Sequence, residues 1–181
     1  IGLPRIQRDL VDAVASTGTP LILVLLSGSA LSISDEARQA NAILQAWYPG
    51  EEGGTAMAQL LLGDANPSGR MPVTVVQNED QLPPFEDYSM EGRTYRYMTD
   101  EPLYPFGFGL SYTEFEYSDI RLSDERVPMG ESITVTATVQ NVGEVEAEEV
   151  VQLYVRDPAA NVTRPVRELK GFERVRLRPG E

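Results

Sequence analysis

The feature that most constrains this chain is a change of hydrophobic period partway along it. In the first part, Ile6, Leu10, Val11 and Val14 recur at helical spacing behind Pro4, which suits a first helical position, and Gly18 and Pro20 end the run. Leu21 to Leu26 is then a continuous apolar stretch between Pro20 and Ser27-Gly28-Ser29. That is how a strand buried on both faces reads, so a parallel sheet is expected. Ser34 or Asp35 is placed to cap a second helix through Ala37, Ala40 and Ile43 to about Gln45. Ala46-Trp47-Tyr48 leads into a turn at Pro49-Gly50. A third helix is expected from Glu51 to Leu62, stopped by Gly63, and another strand from Met71 to Val76. The order helix, strand, helix, short strand, helix, strand is the rhythm of an α/β layered domain.

The last part follows a period of two. Ile133, Val135, Ala137 and Val139 alternate with Thr134, Thr136, Thr138 and Gln140, and Asn141-Val142-Gly143 supplies turn chemistry. Val150 to Val155 is a second β run and Val175-Arg176-Leu177 a third. Short strands between turns predict a β-sandwich, yet only four or five strands are legible where about seven are needed. Arg178-Pro179-Gly180-Glu181 reads as the turn before another strand, so an incomplete sandwich is expected. The intervening segment is rich in Pro, Tyr and acids, and Leu82-Pro83-Pro84 disfavours helix there. It reads as an ordered connector. The expected organisation is therefore α/β over 1–76, connector over 77–112 and all-β over 113–181.

Composition removes several chemistries. There is no Cys and no His, which excludes thiolate chemistry, the Ser-His-Asp arrangement and the commonest zinc ligand within these 181 residues. Chemistry here must use carboxylates, Tyr, Lys, Arg or backbone groups. Asp and Glu number 28 against 15 Lys and Arg, a formal charge of −13. Such a surface repels phosphate backbones and anionic lipid, so neither nucleic acid nor membrane is an expected partner. No cofactor is expected either. The longest apolar run is far short of a membrane span. Ile1-Gly2-Leu3-Pro4 has neither initiator Met nor signal-peptide grammar and reads as the middle of a longer chain, so the sequence assigns no compartment. Asn161-Val162-Thr163 matches a glycosylation sequon, a three-residue pattern of low specificity.

Four residues are candidates for binding substrate: Glu51, Glu52, Arg93 and Tyr95. The two acids lie in a Gly-rich turn that opens a helix. They could contact hydroxyls of a neutral ligand, or they could complement the helix dipole beside Gly50, Gly53 and Gly54. Adjacent helical positions do not face one another, so the two are a poor catalytic pair. The turn matches no phosphate-binding fingerprint. Arg93 and Tyr95 belong to a cluster with Arg96, Tyr97 and Tyr104, preceded by the acidic stretch Glu86 to Glu91. Arginine can donate to ligand hydroxyls and aromatic faces can stack on a flat ligand. The same residues could equally pin the connector in place. Ser27-Gly28-Ser29 follows a buried strand, where α/β domains often place ligand loops, and it could also be an ordinary turn. Phe106-Gly107-Phe108-Gly109 reads as backbone packed close against a surface.

Several stretches match one family in order. Trp47-Tyr48-Pro49-Gly50-Glu51-Glu52-Gly53-Gly54 and Asn66-Pro67-Ser68-Gly69-Arg70-Met71-Pro72 resemble the WYPGExGG and NPSGRLP segments of glycoside hydrolase family 3. Gly92-Arg93-Thr94-Tyr95-Arg96-Tyr97 and Tyr104-Pro105-Phe106-Gly107-Phe108-Gly109-Leu110-Ser111-Tyr112 resemble its GRTYRY and YPFGFGLSYT segments, in the form most similar to the β-glucosidase and β-xylosidase branch. The segment from Val150 and the Leu169-Lys170-Gly171-Phe172 turn look like the family's fibronectin type III-like domain. The resemblance implies an exo-acting, retaining β-glycosidase acting on an oligosaccharide or aryl glycoside. It implies that residues 1–76 are the later part of an α/β sandwich, and that an N-terminal (β/α)8-type barrel is the structural partner. It also implies a nucleophilic Asp in an SDW-like segment, which this chain does not contain. The acid/base Glu is implied just before the helix matched by Leu3-Pro4-Arg5-Ile6-Gln7-Arg8-Asp9-Leu10, hence upstream of residue 1. No catalytic residue is therefore assigned within the chain, which is expected to be inactive alone. A non-catalytic carbohydrate-binding or adhesion module is the alternative.

Overall fold

The computed structural model describes residues 2–159, 162 and 164–181. Asn161 and Thr163 of the sequon lie outside the described residues. Two compact units are present. The first comprises 1–65, 70–108 and 152–172, the second 66–69, 109–151 and 173–181. Among the described residues no helix is long and apolar enough to cross a membrane.

The first unit opens with α1 (Arg5–Ala15), β1 (Ile22–Leu25), α2 (Ser34–Gln39), β2 (Ala42–Gln45) and α3 (Gly53–Leu62). Pro4 stands one position outside α1, and its carbonyl accepts from the Gln7 and Arg8 amides at 2.9 and 3.1 Å. Gly18, at φ 72°, turns the chain away after the helix. β1 and β2 pair in parallel, Ile22 opposite Ala42 through Leu25 opposite Gln45. Residues 42–45 are thus strand and not the end of a helix. Ala-Ile-Leu-Gln satisfies either pattern, and the open edge of β1 decides the matter by supplying backbone partners. Neither Ser34 nor Asp35 caps α2 with its side chain; Ile33 holds the cap position and Ser34 Oγ donates to the Gln77 carbonyl at 2.8 Å.

Two further expectations fail in instructive ways. β1 is not buried on both faces: Leu25 is buried, but Ile22 is 50% and Leu26 58% exposed. Met71 to Val76 is not a regular strand. Met71 N donates to Phe108 O at 2.7 Å, Gly107 N to Met71 O at 2.8 Å, and Val75 and Tyr104 exchange both backbone bonds at 2.8 and 3.1 Å. Pro72 has no N–H to offer, so the pairing is reduced to isolated bridges. The core of this unit is small, gathered on Val11, Leu25, Ile33, Val75 and Met98.

The remainder of the first unit is held by aromatic packing. A 3₁₀ turn (Glu79–Gln81) and the short α4 (Thr94–Tyr97) interrupt the connector. The Tyr95 ring stacks on Phe106 at 4.2 Å and meets Tyr154 edge-on at 6.0 Å. Tyr104 stacks on Phe108 at 5.4 Å, and its burial raises the phenol above its ordinary value of 10.0.

The second unit contains β3 (Phe115–Leu122) and β4 (Val135–Asn141), antiparallel from Phe115 opposite Asn141 to Leu122 opposite Val135. The register shifts between Ser118 and Arg121, where Asp119 adopts φ 51°, so the strand carries a bulge. β5 (Ala147–Val155) and β6 (Glu168–Leu177) pair with each other, and each contributes residues to both units. Leu169-Lys170-Gly171-Phe172 is strand and not turn. Gly171 does not take the left-handed conformation that a turn glycine supplies, and β5 offers it a paired edge. The centre of this unit is the fully buried Asn141.

Candidate functional site

Parallel strands place their ligand loops beyond their C-terminal ends. Here those loops are Ser27–Ser29 after β1 and the segment from Ala46 after β2. Gln45 Nε2 donates to Ser27 Oγ at 3.1 Å, and Ser27 Oγ donates to the Ser29 carbonyl at 2.9 Å, so the two strand ends are linked. The Tyr48 ring lies across Gly28; a Cβ there would stand 2.6 Å from Tyr48 Cε2. Tyr48 itself is largely exposed, and Trp47 before it is held at φ 53°. Left-handed backbone at a bulky residue costs of order 1–3 kcal/mol and persists only where the surroundings enforce it. Sequence reasoning placed Trp47 and Tyr48 just before the turn at Pro49-Gly50 and assigned them no role.

Glu51 and Glu52 follow this turn and are exposed. They precede α3 and do not begin it. Glu52 occupies the cap position, its carbonyl accepts from the Ala56 amide at 2.9 Å, and its carboxylate makes no capping bond. Gly53 is buried because a Cβ would meet Pro49 Cγ at 2.5 Å. The two carboxylates are thus presented to solvent by a turn whose sharpness depends on Gly50, at φ 72°, and Gly53.

Arg93 organises the connector. Its guanidinium donates to the carbonyls of Pro84 at 2.9 Å, Asp87 at 2.6 Å and Ser89 at 3.2 Å. The Ser89 amide donates to Asp87 Oδ1 at 2.8 Å, and the Asp87 amide to Pro84 O at 3.0 Å. The hydrogen bonds from Ser89, with Arg93 nearby, hold the Asp87 carboxyl below its ordinary value of 3.8. The loop so tied turns Phe85 and Tyr88 almost wholly to solvent, beside Glu86. Tyr95 is half-buried and its hydroxyl accepts from the Leu169 amide at 3.2 Å. Arg96 pairs with Glu168 at 2.5 Å, and Lys170 reaches the same carboxylate at 2.7 Å.

A charged cleft of about 520 Å³ lies between α1 and α2, lined by Arg5, Arg8, Asp9, Asp12, Asp35, Glu36, Arg38 and Gln39. Gln39 Nε2 donates to Asp12 Oδ1 at 2.8 Å across it, and Arg38 pairs with Asp35. Glu36 is only 4% exposed at its edge. Polar side chains at helical spacing read in sequence as a solvated face, so nothing there announced a cleft. Among the described residues no group of acids has the geometry of a metal site.

The chain is 42% identical, over all its length and 25% of that protein's, to a periplasmic β-glucosidase of Salmonella typhimurium. It is 45% identical to a xylan 1,4-β-xylosidase of Xylanibacter ruminicola, over all of this chain and 21% of that one. A solved β-glucosidase from Erythrobacter marinus superposes with a TM-score of 0.87 at 42% identity, covering 99% of this chain and 24% of that one. A Listeria innocua β-glucosidase solved with glucose gives a TM-score of 0.85 at 35% identity, covering all of this chain and 27% of that one. The proteins it resembles are therefore glycoside hydrolases, and the chain spans about a quarter of their length. Residues 1–112 match the glycosyl hydrolase family 3 C-terminal domain and residues 149–181 a fibronectin type III-like domain; the chain belongs to glycoside hydrolase family 3.

Proposed function

We propose that this chain is the C-terminal portion of an exo-acting β-glucosidase or β-xylosidase that removes terminal β-linked sugars with retention of configuration. The observation that carries the reading is the likeness, over the whole of this chain, to parts of both kinds of enzyme at 42% and 45% identity. Retention requires two carboxyl groups about 5–5.5 Å apart. One attacks the anomeric carbon while the other gives its proton to the departing oxygen; the second then takes a proton from the water that releases the sugar. Both carboxyl groups are assigned to parts of the parent enzyme outside these 181 residues. The nucleophile is assigned to an N-terminal barrel and the acid/base Glu to the segment just before residue 1, and the chain alone is inactive. In this reading residues 1–76 complete an α/β sandwich, 77–112 form an ordered connector and 113–181 form part of a fibronectin type III-like sandwich.

Within the chain, Glu51, Glu52, Arg93 and Tyr95 are the proposed contributors to sugar binding. Glu51 and Glu52 are the better placed to touch a hydroxyl, since both are exposed. The three carbonyls held by Arg93 and the ring packing of Tyr95 give those two a positioning role for the loop above them. The test is hydrolysis of aryl β-glucosides and β-xylosides by the chain and by its parent, with the anomer of the first product read by NMR. Activity in the parent alone, with the β-anomer formed first, is expected. Turnover by the isolated chain, or inversion by the parent, would sink the reading. Saccharide binding by the chain with no hydrolysis by the parent would favour a non-catalytic binding module.

A further inference from the structure

We propose that the cleft between α1 and α2 binds a small ammonium compound that also carries oxygen acceptors, an amino sugar or an amino acid, with Glu36 receiving the ammonium group and Arg8 donating to an acceptor. The site lies within the first unit and uses none of the residues assigned to sugar binding, so it stands apart from the hydrolase reading.

Most polar groups of the cleft are matched with one another. Arg5 reaches Asp9 at 3.8 Å along α1, Arg38 pairs with Asp35 along α2, and Gln39 Nε2 donates to Asp12 Oδ1 at 2.8 Å from one helix to the other. The two ion pairs are open to water, with the side chains of Arg5 89% and Asp35 77% exposed, and such pairs contribute little. Glu36 differs. It lines the same cleft and is only 4% exposed, yet among the described residues its carboxylate has neither a hydrogen bond nor an ion pair. A carboxylate withdrawn from water without a partner is costly, and burial of such a group is sustained where a cation meets it. On α1, the guanidinium of Arg8 also lines the cleft and likewise has no partner among the described residues.

The class of ligand follows from these two unmatched groups. A metal ion does not suit them, because among the described residues no group of acids has the geometry to hold one. A polyamine would set further cationic nitrogens against Arg5, Arg8 and Arg38, and a simple anion would meet Asp9, Asp12 and Glu36. A compact molecule with one ammonium group beside oxygen atoms answers both. Its N–H groups donate to the Glu36 carboxylate, and its oxygen accepts from Arg8. A cleft of about 520 Å³ is of the size that small-molecule sites have.

The test is equilibrium dialysis of the parent enzyme at neutral pH against radiolabelled glucosamine and, separately, radiolabelled glycine. Binding of at least one is expected, and the tighter of the two identifies the source of the ammonium group. Glu36→Gln keeps the size of the side chain and removes its charge. It should weaken that binding by about ten-fold or more, the scale of one charge-assisted hydrogen bond. Glucosamine held in a sugar-cleaving pocket would be insensitive to this change, so the difference between the two proteins counts the cleft alone. The N-acetylated form of the bound probe, whose nitrogen is uncharged, should show no binding that Glu36→Gln removes. Arg8→Gln should weaken the binding as well; a rise would mean that Arg8 is the internal partner of Glu36 and would overturn the proposal. Equal binding by the unsubstituted parent and Glu36→Gln, or no binding of either probe, overturns it too. Should Glu36→Gln fail to fold by circular dichroism, Arg8→Gln and the N-acetylated probe decide. Hydrolysis is not among these readouts. An inactive parent that binds the probe through Glu36 defeats the hydrolase reading alone, and an active parent that does not bind it defeats the cleft alone.

Discussion

Asn141 shows how much one side chain decides. Its Oδ1 accepts from Thr113 Oγ1 at 2.7 Å and from the Gly143 amide at 3.1 Å, and its Nδ2 donates to Val145 O at 2.8 Å and Leu177 O at 3.1 Å. Every polar atom of a fully buried amide is satisfied, which is the condition under which such burial is tolerated. Asn141→Asp keeps the shape and removes both donors, setting a carboxylate against two carbonyls. A loss of about 3 kcal/mol in urea unfolding at neutral pH is expected, shrinking as pH falls toward about 4 and the acid regains a proton to donate. Gly107 is constrained differently. It sits at φ 82°, and a Cβ would crowd Gln152 and stand 2.6 Å from the Tyr154 hydroxyl. Gly107→Ala should cost about 2 kcal/mol or more by the same measurement. Glu168 supplies a pH dependence. The hydrogen bond from Lys170, with Arg96 beside it, holds its carboxyl below the ordinary 4.5. A depressed folded value means that its contribution is present above pH 4.5 and is lost as pH falls through the lower folded value. Glu168→Gln should flatten that part of the pH–stability curve and leave the alkaline side unchanged.

At the level of elements, the Arg93 loop makes the sharpest prediction. Three carbonyls converge on one planar fork, a geometry that an ammonium cannot reproduce. Arg93→Lys should speed amide exchange at Asp87 and Ser89 by about ten-fold while leaving β1 and β2 unchanged, read by hydrogen exchange mass spectrometry. The change of hydrophobic period was legible, and with it the succession of a mixed α/β segment and a β segment, because burial imposes periodicity directly on residue choice. Ala42–Gln45 was not legible, since those four residues suit helix and strand alike and only the neighbouring β1 edge decides. Leu169–Phe172 was misread because Gly171 suggested a turn that its backbone does not make. The amphipathic pattern of α1 was plain, whereas the exposure of both its faces was not, because periodicity gives a stripe and says nothing of what covers it. The turn carrying Glu51 and Glu52 could be placed from its glycines. The attachments of Arg93 could not, since carbonyl acceptors belong to every residue and leave no mark in the sequence.

For the whole chain, the excess of acidic residues sets behaviour that no single contact explains. A formal charge of −13 over 181 residues destabilises the compact state by self-repulsion, and salt screens that repulsion over about 10 Å at 0.1 M. The thermal midpoint should therefore rise on going from low to moderate ionic strength; a fall would mean that the ion pairs of Arg96, Arg174 and Arg176 outweigh the net field. Another consequence concerns the bridges that join Met71 and Val75 to Gly107, Phe108 and Tyr104. They close the neck of a long bight whose tip shows Phe85 and Tyr88 to any protease that cuts after aromatic residues. A single cut at the tip leaves both sides of the neck hydrogen-bonded. The severed polypeptide should run as one species on gel filtration and come apart into two only in strong urea, so that the break leaves the size of the native protein unchanged.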